Sequence, residues 1–235
     1  MEFRRTDGRK IDELRPIAAK AGIIKNADGS AMVKMGNTIA YAAVYGPREL
    51  YPKFLQDPTK GVLRCKYNMM PFSGSGERVR PGPSRRSTEI SMVTEKALLP
   101  VLNLEDFPNA VIDVYIDLPQ TDAGTRCAGI CAAAIALADA GIAMKDLVTA
   151  VSVGKVNEHL VVDLTYEEEA TEGEVADIPV AFISKSGEIT LLQMDGEISK
   201  EQLVKALEMG KKAAKEIYAI QKATLKEKYS GESDE

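Results

Sequence analysis

The sequence holds one histidine, three cysteines and no tryptophan in 235 residues. The histidine is His159, in NEHLVVDL, which reads as the start of a strand. A mechanism that needs a histidine pair is excluded, and a Ser-His-Asp triad or Cys-His dyad has only this candidate. An odd cysteine count gives no disulfide framework, which points to a cytoplasmic protein. Cys127 and Cys131 lie i, i+4 on an alanine-rich stretch and share a helix face. With no further soft ligands nearby they read as small core residues, and zinc is set aside. No apolar run reaches the ~18 residues a membrane span needs. The start, MEFRRTDGRK, lacks the apolar segment of a signal peptide. Neither sign of charge dominates: 30 Lys+Arg against 35 Asp+Glu leave a net −5. That argues against a surface basic all round but permits a local basic channel.

What is present is ordinary globular material, 45% apolar and 28% charged. A chain this long buries about 70% of its unfolded surface without a metal or disulfide staple. Residues 1–16 are charged and read as an extended arm. Residues 17–25 and 30–45 read as strands, with Gly29 and Gly36 as turn punctuation, and 62–70 alternates as a half-buried strand does. The loop PFSGSGERVRPGPSRR leads into a helix that starts between Ser84 and Ser87. Residues 110–118 form a strand, and QTDAGTR leads to a helix over 125–141 that is apolar nearly all round and so must be buried. Strands at 149–154, 159–165, 178–184 and 188–194 precede a long helix from Ser199, capped by Ser199 and Gln202. Its lysines 205, 211, 212 and 215 read as a solvated face. Strands followed by a helix, more than once, predict an α+β fold with helices packed on mixed sheets. We expect one domain over 1–228 with a weak internal duplication, and a disordered polar tail over 229–235.

Three groups of residues carry chemistry. Arg78, Arg80, Arg85 and Arg86 crowd a Gly/Pro loop just before a helix. Arginine presents a planar fork that matches phosphate oxygens, although ion pairs with Glu77 and Glu89 would also explain the cluster. Gly124-Thr125-Arg126 stands between a strand and a buried helix. A helix N-terminus offers free N–H groups and partial positive charge, so this is the composition of a small-anion site, or of a plain helix cap. The acidic run Glu167, Glu168, Glu169, Glu172, Glu174, Asp177 reads mostly as a solvated loop. Asp177 differs, because it precedes the apolar IPVAFI, where a carboxylate can bind a divalent cation or act as an acid. Asp163, in VVDL, is ambiguous.

The motifs RxDGR-x2-DELRP, PSRR, QTDAGTR, GEVADIPVAFI and LLQMDG follow in one order over residues 4 to about 220. That series resembles the RNase PH family, and AAVYGPRE and LLQMDG bring it nearer the catalytic RNase PH-like subunits of archaeal exosomes than bacterial RNase PH. The resemblance implies a ribosomal-protein-S5-domain-2-like fold and a 3′→5′ exoribonuclease that uses inorganic phosphate. It implies that Gly124, Thr125, Arg126 and Arg86 bind phosphate, that Arg86 also takes part in catalysis, and that Arg85, Arg64, Lys66, Arg78 and Arg80 contact RNA. Asp177 would be catalytic and would hold Mg²⁺ or Mn²⁺ with a second acid. Here the sequence departs from the family spacing: Glu169 matches best, while Glu168, Glu172 or Glu174 could serve. Implied partners are single-stranded RNA, a paralogous subunit in a six-membered ring with three of each, and S1- or KH-type cap proteins, with no membrane. A bacterial-type homohexamer trimming tRNA ends and a non-catalytic ring subunit are the competing expectations.

Overall fold

The computed structural model describes residues 4–75, 78–171 and 173–230. Two sheets make up its frame. The first has the order β1-β2-β3-β5-β4, built from β1 (Ile17–Ala21), β2 (Gly29–Met35), β3 (Thr38–Glu49), β4 (Val62–Met69) and β5 (Ala110–Gln120). Only β4 and β5 run parallel, and α1 (Arg85–Leu98) provides the crossover between them. The second sheet is antiparallel throughout, in the order β7-β6-β8-β9. Its strands are β6 (Val148–Val156), β7 (His159–Val162), β8 (Val175–Ile183) and β9 (Ile189–Leu192).

The stretch expected as one strand over 30–45 is a hairpin, turning at Gly36-Asn37, and Gly29 opens β2 instead of punctuating a turn. The apolar pattern runs through the turn, so the residues alone do not mark it. A four-residue helix, α3 (Tyr166–Glu169), breaks the acidic run; Thr165 caps it, with Glu168 at the third position. Read as charge alone, that run hides the capping box.

α2 (Thr125–Asp139) lies between the two sheets, touching β2, β3 and β5 on one side and β6 and β8 on the other. Thirteen of its 15 residues are buried, which is why its sequence has no polar face. Cys127 and Cys131 are part of that filling. Each fully buried Ile or Leu here contributes about 1.5–3 kcal/mol relative to exposure. α4 (Lys200–Ser230) covers β6, β7 and β1 through Ala206, Gly210, Ala214 and Ile217, while Lys205, Lys211, Lys212 and Lys215 stay exposed. The Ser199–Gln202 cap is made in both directions, at 3.1 and 3.2 Å. α4 runs two residues into the stretch expected to be a tail, with the Tyr229 hydroxyl donating to the Asp139 carbonyl at 3.0 Å; residues 231–235 lie outside the described residues. No helix among the described residues is long and apolar enough to cross a membrane.

Candidate active site

One cleft of about 370 Å³ opens where the N-termini of α1 and α2 face the first half of β8. Arg80, Arg86, Gly124, Thr125, Arg126, Glu169 and Asp177 all line it. Three stretches separated by dozens of residues are thus brought to one place.

The anion side is built from two helix starts. Ser84 caps α1 through a capping box with Ser87, at 3.0 and 2.8 Å. This fixes the first turn, from which Arg86 reaches the cleft. Its neighbour Arg85, about 100° further round the helix, does not line the cleft. α2 begins without any side-chain cap. Ala123 and Gly124 are both left-handed, at φ 55° and 59°. A Cβ on Gly124 would stand 3.0 Å from the Arg15 guanidinium, so the loop also needs the missing side chain. The uncapped N–H groups of α2, the Thr125 hydroxyl and Arg126 form a cradle for an anion.

The acid side is two carboxyls. Asp177 lies within β8, opposite Gly154 of β6, rather than ahead of the strand as expected, because the strand starts at Val175. The Ser152 hydroxyl of β6 donates to it. Burial pushes the Asp177 carboxyl up; Ser152 and Arg126 pull it back, and the net remains above the ordinary value. Burial also raises Glu169, the nearby Asp177 charge adds to this, and the carboxyl reaches about 7 despite Arg86, Arg15 and Arg126. Of the alternative acids, Glu168 is locked to Arg5, Glu174 pairs with Lys155 away from the cleft, and Glu172 lies outside the described residues.

The remaining cationic candidates go elsewhere. Arg64 makes a bidentate pair with Asp113, both bonds 2.8 Å. The Lys66 ammonium sits 5.2 Å above the Tyr115 ring. Arg78 borders a separate shallow groove with Pro71 and Phe72. Arg64 and Lys66 occupy strand β4 ahead of its last three residues, Tyr67, Asn68 and Met69, which line the cleft.

Sequence reading overlooked the supports of the cleft. The arm over 4–15 is an anchor: Arg15 grips Asp163 through Nε at 2.9 Å and Nη2 at 2.7 Å, and its Nη1 donates to the Asp122 carbonyl. Arg5 holds Glu168 with two bonds of 2.7 Å. Thr38 donates to the Ala123 carbonyl at 2.7 Å and accepts from the Asp122 N–H at 2.8 Å. Gln193, inside LLQMDG, accepts from Arg126 and donates to Glu89 at 3.0 Å, which ties α2 to α1. Two signals for these were present: the RxDGR arginines, and a glutamine in a motif quoted only for its resemblance.

Family comparison agrees with this frame. Residues 13–143 match the RNase PH family description "3' exoribonuclease family, domain 1", and residues 146–213 match its domain 2. The chain therefore belongs to the RNase PH family of 3′ exoribonucleases. Within that family it is 55% identical to the exosome complex component Rrp41 of Pyrococcus furiosus, over 96% of this chain and 89% of the relative. It is 51% identical to the protein of the same name from Methanopyrus kandleri, over 97% and 94%. Among solved structures, rice Rrp46 superposes with a TM-score of 0.82 at 25% identity, covering 94% of this chain and all of that one. A structure described as an Archaeoglobus fulgidus exosome with RNA bound to the active site shares the fold at TM-score 0.77 and 23% identity, covering 91% of each chain.

Proposed function

We propose that this chain is the catalytic subunit of an archaeal exosome ring, removing nucleotides from RNA 3′ ends with inorganic phosphate and releasing nucleoside diphosphates. One observation carries the reading: an uncapped helix start and two arginines face two carboxyls of raised pKa across a single cleft.

The reaction needs no protein nucleophile, since a phosphate oxygen is already anionic near pH 7. That oxygen attacks the phosphorus of the terminal phosphodiester. The bond from phosphorus to the O3′ of the preceding nucleotide breaks, and the shortened RNA leaves with a 3′ hydroxyl. Two phosphates must approach each other, and two unit charges 4 Å apart repel by about 4 kcal/mol at an effective dielectric of 20. Gly124, Thr125 and Arg126 hold the attacking phosphate, and Arg86 sits where it meets the RNA end, offsetting that repulsion. Arg80, at the mouth, guides the RNA backbone. Glu169, whose carboxyl is raised to about 7, is suited to protonate the departing O3′, with Asp177, itself raised by burial, beside it.

The same two carboxyls offer hard oxygen donors that suit Mg²⁺ or Mn²⁺. Such an ion is commonly held by one or two carboxylates plus substrate phosphates. Bound there, it would supply charge stabilisation for the phosphoryl oxygens.

The relatives named Rrp41 are exosome components, which supports assembly into an exosome; in this reading the chain alternates in a ring with a paralogous subunit, carries S1- or KH-type caps and works in the cytoplasm on single-stranded RNA. In this reading residues 1–228 act as one unit. The test is 3′-labelled RNA with the chain assembled on its paralogue, with and without phosphate. Phosphate-dependent release of nucleoside diphosphates supports the reading; nucleoside monophosphates at the same rate without phosphate would make it a hydrolase. Light scattering of the chain alone separates a hetero-ring from a stable, active homohexamer of the bacterial type.

A further inference from the structure

We propose that the hydroxyl of Tyr67 is a further donor to the bound inorganic phosphate, completing the cradle of Gly124, Thr125 and Arg126. The inference rests on the phosphorolytic reading above and extends it to a residue that the loop motif does not contain.

Tyr67 lies on β4 and is 4% exposed, yet it forms part of the cleft wall. Its backbone is fixed, the N–H donating to Ser91 Oγ of α1 at 2.9 Å. Its ring lies 3.8 Å from where a Cβ on Gly129 of α2 would stand, so the glycine leaves room for the ring to pack against the helix. With backbone and ring both held, the hydroxyl has little freedom to seek a partner elsewhere.

That hydroxyl is buried and closes no hydrogen bond with a described residue. Buried polar atoms are paired as a rule, and an exception calls for a reason. Four other side-chain atoms share this state, on Ser73, Thr94, Thr190 and Gln221, but none of those residues lines the cleft. Tyr67 alone of the five faces the site. Besides burial, the neighbours that act on it are Thr125, which stands close without closing a hydrogen bond, the charges of Arg86 and Arg126 on the anion side, and Cys127. Burial raises its pKa above the ordinary tyrosine value, so it keeps its proton and can only gain by donating to an acceptor. Among the ligands of this reaction, the free phosphate brings acceptor oxygens to the α2 start, beside the hydroxyl.

A hydroxyl kept for a ligand and a hydroxyl kept for the fold respond oppositely to Tyr67→Phe. The variant retains the ring and its packing. The full chain and Tyr67→Phe are melted with and without inorganic phosphate, and both are assayed for phosphorolysis in the assembled ring. We expect a Tyr67→Phe melting temperature without phosphate equal to or above that of the unaltered chain. We expect the phosphate-induced rise to shrink and the KM for phosphate to increase about tenfold, equivalent to about 1.4 kcal/mol, with the KM for RNA unchanged. A lower melting temperature without phosphate marks the hydroxyl as structural and overturns the inference, as does an unchanged phosphate KM or an effect confined to RNA. If the unaltered chain ignores phosphate altogether, the phosphorolytic reading fails and takes this inference with it; failure of Tyr67→Phe alone leaves that reading standing.

Discussion

Glu168 and Glu169 are neighbours on the same helical turn, and the protein treats them in opposite ways. Glu168 is 2% exposed and held by Arg5, and its own N-cap partner Thr165 donates a backbone N–H at 2.9 Å. Burial alone would raise its pKa, but the Arg5 hydrogen bonds and the Thr165 N–H outweigh burial and hold the carboxyl below its ordinary value. Glu169 looks into the cleft beside a second carboxyl, where its pKa rises to about 7. Asp163 and Asp177 repeat the contrast, one gripped by Arg15, the other held by a neutral serine. The paired acids fix the site's backbone; those without an arginine clamp have raised pKa values. Charge type is the same in both, and placement of the arginines decides the role.

The strongest way to break this comparison is Asp177→Asn. The amide keeps the size but can neither ionise nor donate a proton as an acid, so the rate should fall about 10²- to 10⁴-fold while the melting temperature holds. A variant with near-normal turnover would remove Asp177 from the chemistry. Arg126→Ala tests the opposite wall. Phosphate-dependent rate should drop about 30- to 1000-fold, the loss of roughly 2–4 kcal/mol from one charge-assisted contact, and RNA binding should change less.

Glu168→Gln attacks the paired class. It leaves Arg5 buried without its counter-charge, which costs about 3 kcal/mol of stability in denaturant titrations. Because the folded pKa of Glu168 is lowered, its contribution is present above the ordinary carboxylate value and is lost as pH falls through the folded value. The Glu168→Gln deficit should therefore shrink in acid; a deficit that is constant with pH would mean that the ion pair is not its source.

Gln193→Glu sharpens the comparison by giving Arg126 a charged partner of the structural kind. The arginine would then be neutralised locally, and the phosphate KM should rise about threefold to tenfold. Gln193→Glu with unchanged phosphate KM would show that Arg126 swings away from residue 193 when phosphate binds.

The smallest effect concerns Glu169→Gln and stability. The raised folded pKa means that the native chain binds more protons than the unfolded one between the ordinary value and about 7, so stability falls as pH rises through that window. Glu169→Gln should melt higher than the unaltered chain at pH 8, with the gap closing toward pH 4. The opposite slope would place Glu169 among the paired acids.

Much of this architecture follows from local pattern. The 3.6-residue period of α1 and α4, the apolar monotony of α2 and the Ser84 and Ser199 caps depend on neighbours in the chain, and they appear where the residues put them. The order of the motifs, together with the scarcity of histidine, already pointed to phosphate chemistry and to the RNase PH family. The sequence could not rank the acids of the run from 167 to 177, because a carboxylate's role depends on which cation reaches it: Glu168 meets Arg5, 163 residues away, Glu174 meets Lys155, and Asp177 lies near Arg126 and Arg86. Nor could it separate Arg86 from Arg85, or Arg80 from Arg64, since helix rotation and the path of each segment past the cleft decide which guanidinium enters it. Tyr67 looked like one more half-buried strand residue; only the packing of β4 on α2 left its hydroxyl in the cleft wall without a partner. Residue type and spacing determine what groups a chain can offer. Their pairing is a through-space property, fixed when two sheets close on one helix.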